Sequence, residues 1–281
     1  MFIYKEKNGV GYYYSTLLVS LHGFSTRKGG VSTDPALKGL NLAFGRGDGD
    51  AAVLENLRCF ALAVGVMPDR VISLPQVHGN SVLHVTAADA GKGYTRPACS
   101  SADAYVTEDE GVTLGVKSAD CVPVLLEARG KDGSVLAVAA VHAGWRGTAG
   151  RIVPNAVKAL QALHPESEIF AAIGPCIGAC CFEVGRDCVD VFEQSLGAEL
   201  VESCFFKTGD EKYYGDLTRV NRLLLRKVGV ADERIDSAQI CTCCHPEIFF
   251  SHRYATKYTA GRRGTMLSVI CKRRSEFDGS R

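Results

Sequence analysis

The feature that most constrains the fold is a series of short apolar segments that begins near residue 71 and continues almost to the end of the chain. Each segment has the length of a buried strand rather than of a helix, and turn-forming residues separate many of them. Strands are predicted at 71–74, 81–85, 104–107, 113–116, 122–128, 135–142, 169–173, 238–242 and 266–271. Because few helices lie between them, a doubly wound parallel sheet is disfavoured. The pattern predicts a single α+β domain over residues 1–281, with a mixed sheet and helices packed on it.

Apolar residues at helical spacing predict helices at 50–64, 149–163, 186–196 and 216–228. Asp50 and Thr148 are candidate N-terminal caps, and Gly65 is a candidate end for the first helix. Residues 2–20 predict a hairpin with its turn near Asn8-Gly9, because Asn-Gly favours tight hairpin turns. Turn signals predict a loop over 24–46, and we expect the last ten residues to be frayed.

Composition excludes several classes of protein. The apolar fraction of 46% and charged fraction of 22% are those of an ordinary globular protein. A net charge of +1 predicts neither a nucleic-acid partner nor binding to an anionic membrane. No apolar stretch is long enough to cross a bilayer, and no signal peptide is recognisable. We therefore expect a cytoplasmic protein whose twelve cysteines are mostly reduced and buried. The sequence has no heptad pattern, which favours a monomer.

Three stretches each carry one soft metal-ligand side chain at or beside the end of an apolar segment: His78 in 76–79, Cys121 in 118–121 and His142 in 141–147. Two imidazoles and a thiolate are three of the four ligands of a tetrahedral zinc ion. The fourth position would then be open to water or substrate, as in catalytic sites. Each residue also has a structural interpretation, as a histidine bonded to a carbonyl or as a core cysteine. The long spacings form no short ligand motif.

Neighbouring residues suggest how such a site could be completed. Asp120 could orient a ligand histidine or simply cap a turn. The stretch from Gly144 to Thr148 joins a strand to a helix, so its backbone N–H groups could bind an anion. Arg146 would add a guanidinium fork for phosphate or carboxylate, although an ordinary turn with a surface arginine fits equally well.

Two cysteine-rich segments have a weaker signal. The segment 241–245 could bind a metal, but no second pair follows at zinc-finger distance, so a structural role is favoured. Cys176, Cys180 and Cys181 lie in a segment rich in Gly and Pro that predicts a tight turn. There they are interpreted as small packing residues.

With these motifs in the same order along most of its length, the chain resembles the YfiH/laccase-domain family. The resemblance covers 23–32, 40–44, the three ligand stretches, 173–177, 180–185, 249–253 and 261–264. The His-Ala-Gly-Trp-Arg-Gly sequence at 142–147 is its most specific part.

The resemblance implies a sandwich of mixed β-sheets and a metal site built from His78, Cys121 and His142. It implies a zinc-dependent purine nucleoside phosphorylase that converts adenosine, inosine or methylthioadenosine and phosphate into free base and a ribose 1-phosphate. It also implies adenosine deaminase activity. Arg27, Asn41 and Arg146 are then the candidates for contact with phosphate or ribose. No role is assigned to His252.

Three alternatives remain open from the sequence. Cys121 could be the nucleophile of a hydrolase or amidase acting on peptidoglycan precursors, with a histidine as its base. A copper-dependent polyphenol oxidase is the older description of the family, but seven histidines with no His-X-His pair are too few for several coppers. A non-enzymatic binding module is disfavoured because it gains nothing from polar groups at buried strand ends.

Overall fold

Two six-stranded sheets form the centre of the fold over residues 1–272, the part of the chain that the computed structural model describes. From edge to edge, the first sheet contains β1 (Phe2–Lys7), β2 (Val10–Ser15), β3 (Leu21–Ser25), β15 (Met266–Cys271), β7 (Thr113–Ser118) and β4 (Val71–Ile72). The second contains β14 (Ile235–Ser237), β10 (Glu168–Ile173), β8 (Val122–Arg129), β9 (Val135–Ala143), β6 (Ala104–Thr107) and β5 (Val82–His84). Both sheets are mixed: β4–β7, β5–β6 and β10–β14 pair in parallel, and the other pairs are antiparallel.

The described residues also form a small third sheet and seven α-helices. The third sheet has the order β11 (Glu183–Gly185), β13 (Lys212–Gly215) and β12 (Phe205–Lys207). The helices are α1 (Asp50–Val64), α2 (Trp145–Ala149), α3 (Ile152–Leu163), α4 (Arg186–Leu196), α5 (Ala198–Cys204), α6 (Leu217–Lys227) and α7 (His252–Tyr258).

The two large sheets pack face to face. One apolar cluster joins residues of both sheets, among them Leu114, Val116, Leu125, Val138 and Ile270. On the outer face of the second sheet, α3, α4 and α6 form another core with β8 and β9. Burial on both faces explains why β8 and β9 are continuous apolar runs rather than alternating ones. The predicted α+β sandwich of mixed sheets with packed helices is confirmed, whereas the single domain over 1–281 stays a prediction.

Most of the predicted elements are present with small shifts at their ends. Helix α1 has its predicted bounds and ends at Gly65, whose φ of 97° is left-handed. Asp50 is its first residue rather than its cap, which is Gly49. The hairpin of β1 and β2 turns at Asn8-Gly9, where both residues have positive φ.

The helix predicted over 149–163 is wrong at its start. A short helix, α2, begins at Trp145, and α3 begins only at Ile152. Arg151, with a left-handed φ of 62°, separates them. Pro154 lacks a backbone N–H and so fits only in a first turn, which agrees with the late start of α3. Thr148 therefore lies inside α2 and is not a cap.

The strand predicted over 238–242 is also wrong. Its β-structure lies earlier, in β14, which pairs with β10 as far as Ser237. Gln239 has a left-handed φ of 51°, which breaks the extended backbone. Beyond it, Cys241 forms an isolated bridge with Cys176.

Within residues 1–272, no helix is both long enough and apolar enough to cross a membrane. The frayed segment expected at the C-terminus lies outside the described residues.

Candidate functional site

The three predicted ligands converge at one end of the central strands β8 and β9 of the second sheet, and we call them the His-Cys-His group (His78, Cys121 and His142). In the antiparallel pair of β8 and β9, Pro123 lies opposite His142, so Cys121 comes beside the end of β9. His78 lies between β4 and β5, with a left-handed φ of 58°. The possible donor atoms of the three side chains all lie within 4.8 Å of one another.

Asp103 positions both histidines. This fully buried residue precedes β6, the neighbour of β9. Its Oδ1 lies 2.8 Å from Nδ1 of His142, so Nε2 of that ring remains available to an ion. The same carboxylate accepts the backbone N–H groups of residues 77, 78 and 79 at 3.2, 3.0 and 2.8 Å. One buried anion thus fixes the ring of His142 and the turn that carries His78, as outer partners of metal-binding histidines do.

Burial and mutual contacts shift the pKa values of the ionisable groups around the His-Cys-His group. Burial opposes charge on His142, but hydrogen bonds with Asp103 and Cys121 raise its pKa to about 9. Burial likewise opposes ionisation of Asp103, yet bonds from His142 and from the backbone hold its pKa below the ordinary value. Burial and the neighbouring His142 lower the pKa of His78, which favours its neutral, ligand form.

A metal ion fits this arrangement. A side chain on Gly144 would put its Cβ 2.8 Å from Nδ1 of His78 and 3.3 Å from Sγ of Cys121. Glycine therefore leaves room for both donors to approach each other. Two nitrogens and one sulfur with an open side are the donor set of a catalytic zinc site.

The group lies in the wall of a cavity of about 740 Å³, a volume typical of small-molecule sites. Its apolar lining comes from loops, from helices α2 and α6 and from strand β11, and it includes Phe44, Trp145, Ile177, Phe182, Val184 and Leu217. Aromatic and aliphatic walls of this kind suit a flat, partly apolar ligand.

Basic side chains also line this cavity: Arg46, Lys117, Arg146, His252, Arg253 and Arg263. Burial and the nearby Arg46 lower the pKa of Lys117 to about 8. Burial also lowers the pKa of Arg263, and its Nε has no hydrogen-bond partner among residues 1–272. Since Asp120 and Asp187 are the acidic lining residues, the cavity is positive overall and suits an anionic ligand.

Of the two alternatives for Asp120, the contacts of its carboxylate favour the turn and not the orientation of a histidine. Its Oδ1 accepts from Thr242 Oγ1 at 2.6 Å, and its Oδ2 accepts from the backbone N–H of Arg253 at 2.7 Å. The turn-forming alternative holds, because Asp120 has a left-handed φ of 96° just before Cys121. The carboxylate ties this turn to α7 and to the segment around Thr242.

The predicted anion site at 144–148 changes in detail. Arg146 lines the cavity, and its guanidinium carbon lies 4.1 Å from the ring centre of Trp145. The backbone N–H of Thr148, however, already donates to the carbonyl of Gly144 at 2.8 Å within α2. The side chain of Arg146 therefore remains a candidate for contact with an anion, whereas the backbone N–H of Thr148 does not.

Arg27 and Asn41 are not brought to this cavity. The guanidinium of Arg27 lies in another groove, where it donates to the carbonyl of Pro246 at 2.8 Å and packs over Phe250. Asn41 is fully buried, donates to Asp48 at 2.7 Å and accepts from the backbone of Thr265 at 3.0 Å. Asn41 therefore supports the cavity indirectly, because its hydrogen bond holds the backbone of the lining residue Thr265.

Sequence reasoning missed Asp103, Lys117 and Arg263. Asp103 had a usable signal, since a carboxylate directly before the apolar strand at 104–107 needs buried partners. Lys117 had one too, as a lone cation within an apolar segment. Nothing distinguished Arg263 from its neighbour Arg262.

Comparison with known proteins gives consistent results. Residues 21–273 match the family model described as multi-copper polyphenol oxidoreductase laccase. A relative from Geobacillus stearothermophilus, purine nucleoside phosphorylase YlmD, is 35% identical over 255 residues, which is 89% of each chain. Purine nucleoside phosphorylase YfiH of Escherichia coli is 37% identical over 246 residues, covering 88% of this chain and 92% of the relative. The crystal structure of YlmD from Geobacillus stearothermophilus superposes with a TM-score of 0.83 at 31% identity, covering 97% of this chain and 99% of that one.

Proposed function

The chain belongs to the family whose model is described as multi-copper polyphenol oxidoreductase laccase. Because relatives in this comparison are named purine nucleoside phosphorylases, we propose that the chain is a zinc-dependent enzyme of that kind. The observation that carries the proposal is the His-Cys-His group, whose donor atoms lie within 4.8 Å of one another in the wall of a basic, partly aromatic cavity. The names of the relatives support a purine nucleoside as the substrate.

In phosphorolysis, a phosphate oxygen forms a bond to C1′ of the ribose while the bond from C1′ to N9 of the purine breaks. The base leaves with the bonding electron pair and takes up a proton. Arg146 and Lys117 would hold the phosphate by charge, and the free Nε of Arg263 is a third candidate donor. Phe44 and Phe182 offer apolar surface to the purine. Zinc held by the His-Cys-His group would supply Lewis acidity close to the reacting atoms.

The same cavity supports a second activity of the proposal, hydrolytic deamination of adenosine. A water oxygen forms the new bond at C6, and the amino group leaves as ammonia. His78 and His142 are both fixed through Asp103, so the donor set can hold one geometry for either reaction.

One observation favours a different reaction class. Cys121, His142 and Asp103 are arranged as nucleophile, base and orienting carboxylate, which is the arrangement of a metal-free cysteine hydrolase or amidase. His78 distinguishes the two hypotheses, since its ring centre lies only 4.9 Å from that of His142. A cysteine nucleophile needs no second imidazole there, whereas a metal site does.

The test compares the metal content and phosphate-dependent cleavage of adenosine and inosine in the wild type, Cys121→Ala, Arg146→Ala and Arg58→Ala. Arg58 lies on α1 outside the cavity and serves as the control. We expect Cys121→Ala to lose one zinc ion and at least tenfold in activity. Arg146→Ala should raise the KM for phosphate about tenfold with less change in kcat, because it removes a charged donor.

Retention of zinc and of nucleoside cleavage in Cys121→Ala would contradict the proposal. Activity that survives chelators but is lost on thiol alkylation would favour the hydrolase instead. Copper in the purified protein, together with oxidation of phenols, would favour the oxidase.

A further inference from the structure

A second set of metal-ligand side chains lies outside the cavity, the four-cysteine group (Cys180, Cys181, Cys241 and Cys244). The four sulfur atoms lie within 4.8 Å of one another. Cys176 is buried in the core and Cys181 packs against it, as predicted, but Cys180 is exposed, so its interpretation as a small packing residue is wrong. The expectation that most cysteines are buried is also wrong, since only four of the twelve are. We infer that the four-cysteine group binds a single zinc ion at a structural site.

The fold explains how two distant segments meet. Strands β10 and β14 are parallel neighbours, so the segments that follow them leave the sheet in the same direction. Beyond the strands the two segments stay in register: the N–H of Cys176 donates to the carbonyl of Ile240 at 3.3 Å, and the N–H of Thr242 donates to the carbonyl of Cys176 at 2.9 Å. This ladder places Cys180 and Cys181 against Cys241 and Cys244.

The sulfur positions suit one ion. Four sulfurs bound at about 2.3 Å to a tetrahedral zinc ion lie about 3.8 Å from one another. Cys244 Sγ lies 3.4 Å from both Cys180 Sγ and Cys181 Sγ, and no pair in the group exceeds 4.8 Å. The sulfurs are too far apart for a disulfide bond and too close together to surround a cluster of several irons.

The backbone around the group is adapted to a thiolate. The N–H of Gly178 donates to Sγ of Cys241 at 3.2 Å, an outer-shell contact that stabilises a charged sulfur. A Cβ on Gly178 would lie 3.2 Å from Cβ of Cys241 and 3.3 Å from Sγ of Cys180. Glycine thus favours close approach here, although the contact is less tight than at Gly144 in the His-Cys-His group.

The four-cysteine group differs from a catalytic site because its ligand set is complete. Four thiolates leave no open position for substrate, and none of the four cysteines is among the described lining residues of the cavity. Cys180 and Cys244 are exposed, which gives an ion access from solvent.

The consequence of binding is mechanical. Ile177 and Phe182, from the first segment, line the cavity. Thr242, between two of the ligands, donates to Asp120, the residue before Cys121. An ion in the four-cysteine group would therefore clamp together two segments that support the cavity wall and the turn before Cys121. The cysteines act as positioning residues and not as catalytic ones.

The test is metal analysis of protein purified with zinc under reducing conditions. We expect two zinc ions per chain in the wild type and one in a Cys180→Ser, Cys244→Ser double variant. Cys99→Ser, at an exposed thiol outside both groups, and Cys243→Ser, between two of the ligands, are controls that should keep both ions. Cobalt in place of zinc should give the intense visible absorption of a four-thiolate site, which the double variant loses and Cys121→Ala retains.

This last comparison separates the inference from the proposed function, because Cys121→Ala removes only the ion of the His-Cys-His group. If the double variant does not fold, thiol alkylation of the wild type gives the answer. Zinc should protect the four cysteines relative to Cys99, and a chelator should remove the protection. Equal zinc in the wild type and the double variant, loss of an ion in Cys243→Ser, alkylation unaffected by zinc, or a disulfide within the group in freshly reduced protein would each overturn the assignment.

Discussion

The His-Cys-His group and the four-cysteine group use similar donors in opposite ways. The first has three donors, an open side and a cavity of about 740 Å³ in front of it. The second has four donors that can complete a coordination sphere, and none of them is among the described lining residues of the cavity. An open set leaves room for substrate, whereas a closed set can only join segments of the chain.

The supporting contacts differ in the same sense. Around the first group, the buried carboxylate of Asp103 holds His142 and the turn of His78 by four hydrogen bonds. Around the second, the N–H of Gly178 faces the sulfur of Cys241. Histidine ligands need an acceptor that fixes their tautomer, while thiolate ligands need donors that stabilise their charge. The outer contacts therefore follow from the ligand type, and they give each group its own sensitivity to mutation.

The largest effect is expected for Asp103→Asn. The side-chain oxygen of asparagine can face either the backbone N–H groups of residues 77–79 or the ring of His142, but not both. If the oxygen faces His142, the NH₂ group meets the backbone N–H groups. If the oxygen faces the backbone, the NH₂ group donates to Nδ1 of His142 and forces the wrong tautomer on that ring. We expect kcat/KM to fall about 100-fold and zinc affinity of the His-Cys-His group to fall with it. Steady-state kinetics and zinc competition measure both, while the four-cysteine group should keep its ion.

The control for this variant is Asp187→Asn, a change at an exposed carboxylate that lines the cavity. It should leave activity within about twofold, because surface substitutions away from such contacts have small effects. Equal losses in the two variants would mean that negative charge in the cavity matters, and not the orientation of His142.

A pair of glycine variants separates the two groups directly. Gly144→Ala puts a methyl group 2.8 Å from Nδ1 of His78, and Gly178→Ala puts one 3.3 Å from Sγ of Cys180. The φ of Gly144 is −62°, which alanine adopts without strain, so contact with the ligands causes the effect. Gly144→Ala should lower activity about tenfold, while Gly178→Ala should weaken the second zinc site with activity changed less than about threefold.

Metal content, activity and thermal stability of both glycine variants check this prediction, with Gly209→Ala as the control in open space. Full activity in Gly144→Ala would remove the argument for a tightly packed ligand set. If Gly178→Ala lost activity while keeping both ions, the segment around Gly178 would support the cavity wall independently of the second ion.

The sequence contained enough information for one group and not for the other. Cys121 and His142 flank consecutive strands of one hairpin, so their convergence follows from local pairing. His78 needed the contact of its turn with Asp103, which no local pattern predicts. The four-cysteine group needed the parallel pairing of β10 with β14, whose ligands lie 64 residues apart in the case of Cys180 and Cys244. Neither the pair Cys180 and Cys181 nor the pair Cys241 and Cys244 predicts a four-ligand metal site by itself.

The same limit applies to the fold. Strands with strong apolar runs, such as β6 and β15, were predicted with their observed bounds because burial alone determines them. The short strands β11, β12 and β13 were missed, since three or four half-exposed residues leave no pattern. The strand order within each sheet depends on contacts between distant segments. No period along the sequence encodes it.

The smallest effect concerns Lys117, a residue whose proposed role in binding phosphate conflicts with the stability of the fold. Its Nζ donates to the carbonyl of Ser73 at 3.2 Å and lies 5.3 Å from the ring centre of Tyr94, but no carboxylate among residues 1–272 pairs with it. Because its pKa is about 8 in the folded protein and about 10.4 when unfolded, the buried charge destabilises the fold at neutral pH. Between these values the unfolded chain binds more protons, so stability from this group rises with pH.

Lys117→Met should therefore raise the free energy of unfolding at pH 7 by about 1–2 kcal/mol, after allowance for partial contact with solvent, and the gain should vanish near pH 10. It should also raise the KM for phosphate about threefold to tenfold. In the wild type this KM should increase as pH rises through 8, because Lys117 loses its charge. Lys117→Arg should abolish that increase, and Lys158→Met, at an exposed lysine on α3, should change neither property.

Denaturant unfolding and phosphate kinetics at several pH values measure the two effects. A variant that is stabilised with an unchanged KM for phosphate would show that Lys117 does not bind the anion, whereas the zinc content of the four-cysteine group should stay constant throughout.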